Sequence, residues 1–116
     1  MLRHIVMWAL KGPADAEVFA AELRSCSGLV PGMREFDVGI RSDGLEANCD
    51  VVLVSSFDDA GALDAYLQHG HHKLVVGGLA AYRKERHVLD FISVCPVPDE
   101  DDARKATTAP HQGDWE

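Results

Sequence analysis

Residues 2–10 alternate without a break: His4, Val6, Trp8 and Leu10 fall on one side, and Ile5, Met7 and Ala9 on the other. A period of two marks a strand, and here both faces of the strand are apolar. The same two-sidedness recurs in residues 50–57, where Val51, Leu53 and Phe57 oppose Val52 and Val54. It recurs again in residues 86–94, where Leu89 and Phe91 oppose Val88, Ile92 and Val94. Helices packed on one side of such a sheet cover only one face. Burying a single Val or Leu contributes roughly 1.5–3 kcal/mol, so the second face needs a cover of its own. The least costly cover is a second copy of the same sheet across a two-fold axis. A homodimer is therefore expected.

The intervening segments complete a β-α-β-β-α-β order. Gly12-Pro13 ends the first strand and opens a helix with Pro at its first position, Asp15 and Glu17 favouring the positive end of the dipole. Val18 and Ala21, with Leu23 and Cys26, are its expected buried stripe, and Gly28 its stop. Pro31-Gly32 turns into a second strand, residues 33–40, and Ser42-Asp43-Gly44 is loop chemistry. After the third strand, Asp58 is the expected N-cap of a helix reaching about Gln68. Gly70 interrupts it, a further helical stretch runs over residues 72–82, and the fourth strand is expected over 86–94. Gly77-Gly78 within that stretch calls for close backbone packing or a kink, because each Gly costs about 1 kcal/mol against Ala in a helix.

At 116 residues the chain has room for one core. Residues 1–94 read as the domain and residues 95–116 as an acidic, proline-containing extension, either flexible or wrapping the surface. The net charge of −8, with no basic cluster larger than Arg83-Lys84 and Arg86, disfavours nucleic acid as a partner. The apolar runs are too short to span a bilayer, and the N-terminus lacks a signal-peptide apolar region. A cytoplasmic protein without a membrane partner is expected. Three cysteines without CxxC spacing read as reduced structural thiols.

The densest chemistry lies in Tyr66-Leu67-Gln68-His69-Gly70-His71-His72. On a helix Tyr66 and His69 share a face, and His4 shares the parity of Val6 and Trp8. An imidazole beside a phenol is suited to acid–base work near neutral pH. The same histidines are equally suited to capping helix ends. No Cys, Asp or Glu other than Asp64 stands near enough to complete a zinc set, so no metal is expected. Trp8 serves either as core or as a stacking wall for a flat ligand. Asp90 either faces solvent or pairs with a His or Arg. No phosphate-binding or dinucleotide fingerprint is present.

Several segments together resemble the stress-responsive α/β-barrel (Dabb) domain family. They are Arg3-His4-Ile5-Val6-Met7-Trp8, Leu29-Val30-Pro31-Gly32-Met33, Phe36-Asp37-Val38-Gly39, residues 50–57, Tyr66…His69-x-x-His72 and Val88-Leu89-Asp90-Phe91. The family usually has Pro where this chain has Gly70, and a small residue where it has His71. The resemblance implies a ferredoxin-like α+β fold with a four-stranded antiparallel sheet, two copies closing into a dimeric α/β barrel. One member is a plant polyketide cyclase performing a cofactor-free aldol condensation. Carried over by position, the resemblance assigns Tyr66 and His72 as catalytic and His4 as a pocket histidine, with no cofactor, and His69 matches the first His of the element. With Trp8 from the reading of the residues, His4 and His69 are the expected ligand-binding positions.

The leading expectation is a homodimer that binds a small apolar or aromatic molecule between sheet and helices, in a stress-related or accessory metabolic role. The alternatives are a cyclase-like enzyme with His72 as base, a cofactor-free oxygenase, and a structural protein without a pocket.

Overall fold

The computed structural model describes residues 1–94. The extension at 95–116, with Cys95 and Trp115, lies outside the described residues. Four strands, β1 (Leu2–Leu10), β2 (Met33–Ile40), β3 (Val51–Phe57) and β4 (Arg83–Ile92), form one sheet in the order β2-β3-β1-β4. Every neighbouring pair is antiparallel. This is the expected ferredoxin-like arrangement. The helices are α1 (Ala16–Arg24), α2 (Ala60–Gln68) and α3 (Gly70–Leu79), with a single 3₁₀ turn over Pro13–Asp15. No helix among the described residues is long and apolar enough to cross a membrane.

β1 is central, so its register sets both faces. His4 lies opposite Ser55 and Asp90, Val6 opposite Leu53 and Val88, and Trp8 opposite Val51 and Arg86. These positions face the helices, and His4, Val6, Trp8 and Leu10 are all buried. The opposite face carries Ile5, Met7, Val52, Val54, Leu89 and Phe91. Three of these, Met7, Leu89 and Phe91, stay 41%, 64% and 40% exposed.

The helix-side core differs in phase from the expected one. In α1 the buried residues are Ala16, Phe19, Ala20 and Leu23, a helical i, i+3, i+4, i+7 stripe. Val18 is 52% exposed and Ala21 is also on the surface. Phe19 decides the phase, because its ring packs edge-on against Trp8 at 5.2 Å and is fully buried.

Several boundaries also shift. Asp58 does not cap α2; its carboxylate takes a two-pronged bond from Arg34 at 2.7 and 2.9 Å, and Asp59 accepts from the Ala62 amide instead. That partner holds the Asp58 carboxyl below its ordinary pKa. The third strand starts at Val51, since buried Asp50 turns its carboxylate onto the Leu10 amide at 2.8 Å. α3 starts at Gly70 and ends at Leu79, and β4 starts three residues before the expected Arg86. Finally, Gly77 and Gly78 meet no close neighbour among the described residues, so close backbone packing does not explain them.

Gly32 does have a packing reason. It holds φ +88°, and an added Cβ would lie 3.0 Å from that of Ala62. The turn it makes places β2 against α2, where Met33 enters the sheet opposite Phe57.

The α1 phase is checked by paired truncations. Phe19→Ala is expected to destabilise by about 3–5 kcal/mol in denaturant unfolding. Val18→Ala, on the solvent side, should stay within about 0.5 kcal/mol of the parent. Similar losses at both positions would contradict the assigned phase.

Candidate functional site: a cavity between sheet and helices

β1 delivers His4 to the helix side of the sheet, 3% exposed. Its cross-strand partner is Asp90, and the register brings the Asp90 Oδ1 to 2.5 Å from His4 Nδ1. An ionised carboxylate accepts only, so Nδ1–H is the donor and Nε2 is left with the ring's lone pair when the imidazole is neutral. Asp90 thus pairs with a histidine and is still partly open to solvent, its side chain 41% exposed. The Ser55 hydroxyl donates to the His4 carbonyl at 3.0 Å, tying the backbone of β1 to β3 at this residue.

Tyr66 comes from the last turn of α2 and is almost wholly buried. Its ring sits among His4, Phe36, Phe57 and His72, with centroid distances of 6.4, 6.2, 5.4 and 4.5 Å. Burial is the main reason its phenol pKa is pushed far up, and contact with the Cys26 thiol adds to it. Burial likewise raises the Cys26 thiol, so both groups remain protonated at neutral pH.

His72 lies in the first turn of α3. Its Nδ1 bonds to the Leu67 carbonyl at 3.2 Å. A carbonyl only accepts, so His72 also presents Nε2 as its basic nitrogen. Burial lowers the His72 pKa, and the charges of His4, Arg86 and His69 lower it further against the opposing Leu67 bond. The ring is therefore neutral at physiological pH.

His4, Trp8, Tyr66 and His72 line one cavity of about 220 Å³. Apolar side chains from β1, β3, α1 and α3 complete much of its wall, among them Val6, Leu53, Leu23 and Leu79. The volume decides what can enter. A water takes about 30 Å³ of liquid, and an apolar cavity of about 150 Å³ holds benzene. The space suits a single ring or its aliphatic equivalent.

His69 is absent from that lining. Its Nδ1 accepts from the His71 amide at 3.1 Å, the N-cap of α3. His71 turns the other way and bonds the Ser25 hydroxyl at 2.8 Å. The three neighbouring histidines therefore have three different surroundings. Two charged lining residues were not singled out from the sequence as site candidates: Arg83 and Arg86 on β4. Their only sequence signal is the isolated basic triplet that they form with Lys84.

A single α+β sheet with helices on one side, an apolar opposite face and a histidine-lined cavity defines a ferredoxin-like domain of the α/β-barrel kind. The chain belongs to the stress responsive A/B barrel domain family, Dabb, which it matches over residues 2–93. Solved structures of the same fold include a dimeric ferredoxin-like protein of unknown function from Jannaschia, 28% identical, covering 79% of this chain and 98% of that one, with a TM-score of 0.67. A second dimeric ferredoxin-like protein of unknown function, from Thermobifida fusca, is 20% identical over 78% of this chain and 88% of its own, with a TM-score of 0.69. A Dabb family protein from Mesorhizobium loti is 17% identical over 81% and 97%, with a TM-score of 0.67. No curated protein matches the sequence.

The His72 shift has a signed consequence for stability. Its folded pKa lies below the unfolded value of about 6.5, so the unfolded chain binds the extra proton first as pH falls. The contribution of His72 is present above that value and is lost as the pH drops through it towards the folded one. The fall in melting temperature between about pH 7.5 and 5.5 should be smaller in His72→Gln than in the parent. An identical fall in both would contradict a buried, neutral His72.

Proposed function

We propose that this Dabb protein works as a cytoplasmic homodimer that binds a small, mostly apolar or aromatic molecule in the cavity beside His4, Trp8, Tyr66 and His72. The observation that carries this reading is the ring-sized space itself, apolar on most sides and entered by two imidazoles whose Nδ1 positions are already satisfied. A protein with a purely structural role in stress has no use for a hollow that forfeits packing contacts.

The dimer follows from the uncovered face. Met7, Leu89 and Phe91, with Ile5, Val52 and Val54, form a continuous apolar surface on the side away from the helices. Dimeric relatives of the same fold agree with this reading. Sedimentation equilibrium should give twice the chain mass, and Leu89→Asp should return it to one. A parent that sediments as a monomer would contradict the dimer.

An enzymatic reading is supported by the neutral His72 against the protonated Tyr66. In it, His72 Nε2 removes a proton from carbon next to a carbonyl, and Tyr66 positions the substrate or polarises that carbonyl. Such chemistry requires no cofactor, and positioned acid–base groups supply about 10²–10⁴-fold. Acetophenone, one ring with an exchangeable methyl group, is a suitable probe. In deuterium oxide the protein should speed deuteration of that methyl above the buffer rate, and His72→Gln should remove about a hundredfold or more of the acceleration. Acetophenone binding without accelerated exchange would leave a binding protein and no base. Failure of any small aromatic to perturb the Trp8 indole resonance would contradict the cavity reading as a whole.

A further inference from the structure

The cavity is electrically lopsided. His4 and Asp90 face each other near one end of the β1–β4 pair, while Trp8 faces Arg86 and Leu10 faces Arg83 near the other. His4 and Trp8 are four residues apart, which at about 3.3 Å per residue separates the two ends by about 13 Å along the strand. Both arginines nevertheless line the same cavity as the two histidines. Arg86 is exposed and Arg83 half-buried. Among the described residues neither has an ion pair or a side-chain hydrogen bond, whereas Arg24, Arg34 and Arg41 all do. Among the described residues no aspartate or glutamate lines the cavity.

Two uncommitted guanidinium groups at one end of an apolar, ring-sized hollow in a chain of net charge −8 need a reason. Solvated surface arginines would do as well anywhere else. We infer that the cavity takes a small carboxylic acid, one ring or an equivalent chain in size, whose carboxylate meets Arg83 and Arg86 while its apolar body reaches towards His4, Tyr66 and His72. This rests on the cavity being a binding site and deepens it by naming the ligand class.

The guanidinium fork matches a planar carboxylate with two parallel N–H donors, which makes arginine the side chain suited to this task. A phosphate would call for backbone N–H groups from a glycine-rich turn or helix start; here side chains form the lining, and the cationic part comes from β4 alone. The charge of Arg86 reaches His72 and disfavours its protonation. A bound carboxylate would offset that influence, so occupancy and the protonation of His72 are linked.

Benzoate and its neutral near-isostere benzamide distinguish the possibilities. Both would be titrated into the full chain, following the Trp8 indole resonance. Benzoate should bind about tenfold or more tightly than benzamide, because a charge-assisted pair replaces a neutral one. The advantage should shrink with added salt and vanish in Arg83→Gln/Arg86→Gln. Arg83→Lys/Arg86→Lys, which keeps the charge and guards against a misfolded double variant, should retain part of it. Equal binding of the two probes would overturn the carboxylate inference and leave the cavity reading standing. So would a benzoate preference that persists in a folded double glutamine variant. Binding of neither probe would overturn both.

Discussion

Everything in the molecule hangs on the pairing of β1 with both β3 and β4. Because β1 is central and strictly alternating, it must satisfy two different environments at once. His4, Val6 and Trp8 point to the helices, and Ile5 and Met7 to the opposite face. The helices cover the first side incompletely: Val88 and Ile92 of β4, which share the helix side, are 48% and 70% exposed. The hollow lined by β1, α3 and β4 follows from this incomplete cover. Phe19 fills the space over Trp8, Tyr66 fills the space beside Phe57, and among the described residues no side chain of equal bulk fills the rest.

The chemistry of the hollow follows from hydrogen bonds made outside it. Asp90 holds the Nδ1 of His4 from the neighbouring strand, and the Leu67 carbonyl holds that of His72 from the end of α2. Each partner selects the tautomer whose Nε2 is basic. Burial then keeps His72 neutral and Tyr66 protonated, so a base and a hydroxyl coexist within one aromatic cluster. The break between α2 and α3 matters here. His69 ends one helix and caps the next, which swings His72 back against Tyr66 instead of continuing along the α2 surface.

Much of this was legible in the amino-acid order. The alternation in β1 and β3 is local and depends on nothing distant, so the strands, the two-faced sheet and the placement of His4 beside Trp8 could all be read directly. The convergence of His4, Tyr66 and His72 came from the resemblance to the family, since spacing alone leaves histidines at a helix junction as caps. His69 illustrates this: it is a cap, and it does not line the cavity with the other three. The phase of α1 was not legible, because Val18 and Ala21 are as apolar as the stripe that won. The choice was made by the fit of Phe19 on Trp8, a tertiary contact. Arg83 was hidden for a similar reason. The start of β4 is set by pairing across an irregularity at Ala9/Leu10, not by any local signal in β4 itself.

The central claim is that the hollow holds a discrete small molecule in each subunit of a dimer. Native mass spectrometry of protein purified gently from its own cells addresses it most directly, followed by denaturation and identification of what is released. The expected spectrum shows two chains plus a small organic molecule that leaves on denaturation. A dimer without such a mass, and which acquires none when incubated with small aromatic acids or neutral aromatics, would contradict the claim.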